Sequence, residues 1–177
     1  MSQPSGQMLN VTAEMLQSNQ LFRGVEASAL QSLLEQYKPE IAQPGEWIMR
    51  EGGPADFMFV IINGELEVVS HGGGSSGADV RVALLGPGDW VGEMAVLDPQ
   101  AQRSASVRSL APSLLLRLTV SQMLQLEADQ LSVYTHMVRN IARELSRRLR
   151  VADRLIARTS AAMAKQYVIE SKRPPKA

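Results

Sequence analysis

The chain has 177 residues, 45% hydrophobic and 20% charged, with 18 Lys+Arg against 18 Asp+Glu, two histidines and no cysteine. This is a globular composition, long enough for one domain with an appendage. The absence of cysteine excludes disulfide frameworks, thiol nucleophiles and Cys-ligated zinc or iron–sulfur centres, and it fits a reducing compartment, the cytoplasm.

Residues 1–11 lack the basic start and apolar core of a signal peptide and read as a flexible N-terminus. From Thr12 to Tyr37 the apolar residues Met15, Leu16, Leu21, Phe22, Val25, Leu30, Leu33 and Leu34 recur at three- and four-residue spacings, which predicts short helices packed as a cap. From Ile41 the signals change to glycine, proline and alternation, and about six to eight short strands separated by tight turns are expected. Phe57 to Ile62 is the longest apolar run, too short to span a bilayer. It is followed by Asn63-Gly64 and then by Glu65 to Ser70, a pattern that predicts a β-hairpin on a type I′ turn. Gly72 to Gly77 reads as a flexible surface connection to a strand at 79–85, with further strands at 104–109 and 113–118. The fold class expected over 12–130 is mainly β with flanking helices: an antiparallel jelly roll of the cupin-like, double-stranded β-helix type.

After Thr119 the pattern is helical throughout, with Val133, Met137, Ile141, Leu145, Leu149, Ala152 and Ile156 forming one stripe. A helix over 131–166 is longer than a roll of this size can cover, so part of it is expected to meet a partner, most simply a second copy in a homodimer; a helix lying along its own sheet is the alternative. Residues 167–177 read as a disordered basic tail. Charge is divided along the chain: residues 1–130 carry 7 basic and 15 acidic side chains, residues 131–177 carry 11 and 3. A basic helix of this kind can bind nucleic acid or an acidic partner, or dock on the acidic body of its own or a second copy, which is the simpler reading.

Chemistry concentrates in Gly86-Pro87-Gly88-Asp89-Trp90-Val91-Gly92-Glu93-Met94-Ala95-Val96-Leu97, followed by Arg103-Ser104-Ala105. Gly92 permits close backbone approach, and Met94 to Leu97 can form one helical turn whose leading N–H groups favour a phosphate. Arg103 can offer a planar fork to two phosphate oxygens, an ionised Glu93 can accept from a ribose hydroxyl, and small Ala95 and Ala105 keep room for a ligand. Each element also has a plain reading: Gly-Pro-Gly as a turn, Glu93 with Arg103 as a structural ion pair.

In this order the residues resemble the phosphate-binding cassette of the cyclic nucleotide-binding domain family, in the branch of the bacterial catabolite activator protein. The resemblance extends over about residues 15–160 and includes the Glu51-Gly52-Gly53-Pro54-Ala55-Asp56 loop and the Asn63-Gly64 turn. It implies that Glu93 binds the ribose 2′-hydroxyl and that Arg103, helped by Ser104 and the cassette amides of Val91, Gly92, Met94, Ala95 and Ala105, binds a cyclic phosphate. It also places Arg147-Arg148-Leu149-Arg150-Val151 before the base-contacting pair of the long helix. That pair is Ala152-Asp153 here, where the family has Thr-Ser, so Arg148, Ala152 and Asp153 are the base-side candidates and the base stays open between cyclic AMP and cyclic GMP.

The function expected is a cytoplasmic regulatory module that senses a cyclic nucleotide and moves its C-terminal helix against a protein effector. The alternative keeps the fold and discards the ligand, as a degenerate dimerising interaction domain. Only a dozen or so residues follow Lys165, against the 60 or more of the family's helix-turn-helix domain, so no sequence-specific DNA reading is expected. A cupin-type enzyme would need clustered metal ligands; His71 and His136 lie in no such motif, so neither metal nor catalytic residues are expected.

Overall fold

The computed structural model describes residues 11–72, 79–98, 100 and 102–171, with side chains described up to 162. The expectations for the first ten residues, the glycine-rich connection at 73–78 and the last six residues fall outside that set.

Thr12 opens α1 (Ala13–Gln17) by accepting the Met15 N–H on its hydroxyl. Asn19, itself buried, caps the 3₁₀ turn Gln20–Phe22 in the same way at 2.9 Å. After α2 (Ala27–Gln36) the described residues form eight strands: β1 (Glu40–Ala42), β2 (Trp47–Met49), β3 (Phe57–Asn63), β4 (Leu66–His71), β5 (Asp79–Leu85), β6 (Trp90–Val91), β7 (Ser106–Ser109) and β8 (Ser113–Thr119). They form two antiparallel sheets, β1-β8-β3-β6 and β2-β7-β4-β5. Each sheet alternates early and late strands, the winding of the expected jelly roll. Ala42, Met49, Phe59, Ile61, Leu66, Val107 and Leu115 fill the space between the sheets. On β3 and β8 the alternate residues Met58, Val60, Leu116 and Leu118 are equally buried. That second face lies under helices, with α4 (Val120–Asp129) packed on β8.

One expectation fails. Phe57–Ile62 and Glu65–Ser70 are strands, but not a hairpin: β3 pairs with β8 and β6, whereas β4 pairs with β5 and β7. Gly64 has φ +106°, and among the described residues none other than glycine, Asn63 included, has a positive φ, so the two left-handed residues of a type I′ turn are absent. The physical reason is a contact 49 residues away in sequence. A Cβ on Gly64 would stand 2.5 Å from Ser113 Cα, so the chain passes from one sheet to the other by lying directly on β8. Ser113 secures the crossing: its hydroxyl accepts the Glu65 N–H at 3.2 Å and bonds Ser109 Oγ at 2.9 Å.

The helical region after Thr119 is also two elements. Thr119 and Gln122 form a reciprocal capping box on α4, and Gln130 ends it by donating its N–H to Leu126 O. The long helix α5 then runs Leu131–Ser171, 41 residues or about 60 Å, past residue 166 and into the stretch expected to be a disordered tail. The chain divides into two compact units, 1–140 and 141–177, each taken by itself below.

Within the first unit, the start of α5 is anchored by Asn140. Its buried amide donates to Leu21 O at 2.9 Å and to Arg23 O at 3.0 Å, and the His136 ring lies where a Cβ on Gly24 would be, 2.7 Å from Cδ2. Replacing Asn140 by Ala strands two carbonyls and is expected to cost about 2 kcal/mol; Asp, which cannot donate when ionised, is expected to cost more. Urea midpoints of the two variants check the order.

Candidate functional site

The turn ahead of the cassette is pinned to β3. Gly88 adopts φ +94°, Asp89 Oδ2 accepts the Gly86 N–H, and the Asp89 carbonyl accepts the Ile61 N–H. Strand β6 therefore leaves β3 at a fixed point, and Gly92 follows with φ +83°. A Cβ there would meet Met49 Cε at 2.6 Å and Arg103 Nη1 at 2.7 Å, so only glycine lets backbone and guanidinium come this close. From Glu93 the chain forms the single turn α3 (Met94–Leu97). The amides of Ala95, Val96 and Leu97 bond back to Gly92 O and Glu93 O. The turn is as expected, but the Ala95 amide, expected to meet the phosphate, is used inside it, as are those of Val96 and Leu97.

Arg103 is the centre of the site. Its side chain is 5% exposed, and three of its five N–H groups go to backbone carbonyls: Nε to Pro54 O at 3.1 Å, Nη1 to Gly92 O at 3.3 Å and Nη2 to Phe57 O at 2.7 Å. One N–H remains on each terminal nitrogen, the spacing that meets two oxygens of one phosphate. The guanidinium lies 4.5 Å over the Phe57 ring, and Arg117 stacks on the same ring at 4.1 Å. Burial pushes the Arg103 pKa down from its ordinary value, and Arg117 adds to that; Asp56 and Glu93 oppose it. Asp56 lies 3.9 Å away but is itself 64% exposed. Arg103 stays charged at this depth, with the solvent-screened Asp56 and the buried Glu93 as its counterweight, and a guanidinium in this position can take an anion.

The backbone of Arg103 is as firmly placed as its side chain: its N–H donates to Gly53 O, and its carbonyl accepts the Gly52 N–H at 2.8 Å. Glu93 is buried and Ala95 is fully buried. Met94 is half exposed, with its sulfur 4.0 Å from Ser104 Oγ; Val91 and Ala105 are half-buried. The structure thus brings Gly92, Glu93, Ala95 and Arg103 together, with Val91, Met94, Ser104 and Ala105 around them. Sequence reasoning missed Met49, Phe57, Arg117 and the carbonyls of Gly53, Pro54 and Phe57. The Glu51–Asp56 loop entered it only as part of the resemblance; its glycines, with Gly52 at φ +74°, were the available signal.

Arg148, Ala152 and Asp153 lie in the second unit, all exposed on α5. Arg148 Nε donates to Glu144 Oε1 at 2.9 Å, and Arg147 grips the same carboxylate at 2.6 and 2.8 Å, which holds Glu144 below the usual carboxylate range.

A second ionic cluster escaped sequence reasoning. Glu67 on β4 is buried between Arg81 on β5, at 3.0 Å, and Arg108 on β7, which donates through Nε at 2.8 Å and also through Nη2. The hydrogen bond from Arg108, ahead of the charges of both arginines, holds the Glu67 pKa below its ordinary value. A depressed carboxylate stabilises the fold above the unfolded pKa of about 4.3 and loses that contribution as pH falls through its lower folded value. Thermal melts of Glu67→Gln are therefore expected to lose less stability than the unsubstituted protein between about pH 6 and pH 3, with a lower melting temperature at neutral pH. Among the described residues no three His, Cys, Asp or Glu side chains converge as metal ligands, and no helix is long and apolar enough to cross a membrane.

The family model for the cyclic nucleotide-binding domain matches residues 39–130, from β1 to the end of α4. The chain belongs to the cyclic nucleotide-binding domain family. It is a regulatory domain of that family, and the matched segment contains the whole cassette. The CRP-like cAMP-activated global transcriptional regulator of Mycobacterium tuberculosis is 26% identical over 156 residues, covering 88% of this chain and 68% of the regulator. A cyclic nucleotide-gated cation channel of Ictalurus punctatus is 29% identical over 126 residues, 68% of this chain but 18% of the channel. Among solved structures, the catabolite activator protein of Thermus thermophilus superposes with TM-score 0.70 at 30% identity, covering 80% of this chain and 63% of that one. The cyclic nucleotide-binding domain thus occurs in relatives that are gene regulators and in relatives that are channels, and this chain spans less than two thirds of the Thermus protein.

Proposed function

We propose that this domain binds cyclic AMP or cyclic GMP at the Arg103 recess and passes the binding event to α5, by which it pairs with a second copy and acts on a protein effector in the cytoplasm. The observation that carries the reading is the Arg103 guanidinium: buried, clasped by three carbonyls, and left with one N–H on each terminal nitrogen. The cyclic phosphate bridges that pair, Glu93 accepts from the ribose, and Ser104 closes on the phosphate from the rim beside Met94. Arg148, Ala152 and Asp153 are the base side. Ala152 offers no polar group and ionised Asp153 only accepts, so the base presents a donor, such as a purine amino group. Exposed Leu149, Leu155 and Ile156, at 56–64%, support pairing through α5. The named ligands of the mycobacterial regulator and the channel are cyclic nucleotides, which supports the class but not the choice.

A ligand shifts the α5 equilibrium only as far as its affinities for the two arrangements differ. Amide hydrogen exchange with saturating cyclic AMP or cyclic GMP tests both steps. Slower exchange at 92–97 together with altered exchange in α5 is expected. An unchanged cassette with both nucleotides would favour the ligand-free dimerising domain, in which Glu93 and Arg103 are purely structural; a protected cassette with unchanged α5 would remove the coupling.

A further inference from the structure

Besides the grip of Arg147 and Arg148 on Glu144, α5 carries a row of charge, Arg147 included, that nucleotide sensing does not use. At 100° per residue, Arg143, Arg147, Arg150, Arg154 and Arg158 fall within an arc of roughly 80°, while Leu145, Leu149, Ala152 and Ile156 fall on the opposite face. All five arginines are exposed. The row rises about 22 Å along the helix, with a guanidinium every turn. At its distal half, Arg150, Arg154 and Arg158 have no acidic partner among the described residues; the one hydrogen bond there is Arg154 Nε to the Arg150 carbonyl. Like charges at successive i, i+4 positions work against the helix, and a merely solvated face alternates Glu with Lys or Arg. Residues 131–158 contain seven arginines and no lysine, the choice of side chain that grips phosphate oxygens bidentately.

We infer that this arginine face binds the phosphodiester backbone of a nucleic acid duplex without reading its sequence. Charge complementarity to a regular line of phosphates carries the choice of partner. The acidic body of the protein is a poorer match, because many of its carboxylates are engaged locally: Glu46 on the Gln43 N–H, Glu51 on the His71 N–H, Asp89 on the Gly86 N–H, Glu67 with two arginines and Asp79 with His71. An anionic membrane is a poorer match too, because an interfacial helix anchors aromatic side chains on its apolar face, and residues 141–162 hold no Trp, Phe or Tyr. Phosphate contacts of this kind fix no base and need no recognition helix.

The test is fluorescence anisotropy of the full chain with a labelled DNA duplex of about 20 base pairs and arbitrary sequence. With Arg147 held on Glu144, phosphate contacts from Arg150, Arg154 and Arg158 give a slope of log affinity against log salt of about −3, a loss of roughly 40-fold between 50 and 200 mM salt. Scrambling the duplex leaves affinity unchanged. The triple variant R150Q/R154Q/R158Q keeps good helix formers and is expected to weaken binding and lower the slope by about 3. Failure of the unsubstituted protein to bind at 50 mM salt overturns the inference whether or not the variant folds. So does a salt slope that the triple substitution leaves unchanged in a variant of normal helical circular dichroism. Binding to phosphatidylserine vesicles in place of duplex would assign the face to membranes instead. Each of these outcomes leaves nucleotide binding at the Arg103 recess untouched, since the melting shift with cyclic nucleotide is read separately.

Discussion

Arg103→Ala is expected to weaken cyclic nucleotide binding by about 100-fold or more, read as the dissociation constant in a titration. The substitution removes two charge-assisted hydrogen bonds to one phosphate, each contributing about 1.5 kcal/mol or more, and 1.4 kcal/mol is tenfold. Arg103 also holds the fold locally, so the same change removes its bonds to the carbonyls of Pro54, Phe57 and Gly92, the last of which keeps the Ala95 N–H, and lowers apo stability by about 1–3 kcal/mol. Arg103→Lys separates the two effects. A lysine keeps the charge near Asp56 and Glu93 but has a single ammonium in place of the fork, so affinity falls by about tenfold or more while stability recovers in part. A folded Arg103→Ala protein that binds within about threefold of the original would show that the phosphate is held elsewhere.

Gly64→Ala is expected to cost about 3–5 kcal/mol, a large share of the stability of a domain this size, and to yield little soluble protein at 37 °C. Two costs combine at this position. A backbone at φ +106° is one that L side chains rarely adopt, and the new Cβ would stand 2.5 Å from Ser113 Cα, a backbone atom that cannot rotate away. Gly45→Ala is the matched control: φ is +83° there, but no atom lies within 4 Å, so only the conformational cost of about 1–2 kcal/mol applies. Thermal melts of the two variants should differ by several degrees. Equal melting temperatures would mean that the crossing between β3 and β4 is looser than the Ser113 contact requires.

These two positions also show what could be read from the residues alone. Gly92, Glu93 and Arg103 stand close in sequence, in an order that chemistry and the family resemblance both single out, so the heart of the site was legible. The strands themselves were legible from glycine spacing and apolar alternation. Their pairing was not, because Asn63-Gly64 satisfies the local rule for a hairpin and the competing contact is with Ser113, far along the chain. The clasp on Arg103 was hidden for the same reason: it is made of carbonyls, which carry no side-chain signature, and two of the three, Pro54 and Phe57, stand some 50 residues earlier. Glu67 reads as an ordinary outward residue of an alternating strand until β5 and β7 bring Arg81 and Arg108 to it. The Thr119–Gln122 capping box, by contrast, was present as a local four-residue pattern, and it marks the start of the α4 helix that Gln130 then separates from α5.

The most direct test of the account is a thermal melt of the purified chain with and without cyclic AMP and cyclic GMP. A nucleotide at about 100 times its dissociation constant stabilises the folded state by about 2.7 kcal/mol, which for a chain of this size raises the melting temperature by roughly 5–10 °C. The account predicts a shift of that size with at least one of the two nucleotides. No shift with either up to millimolar concentration would contradict it, and the buried Arg103 would then be a structural clasp of the β-roll.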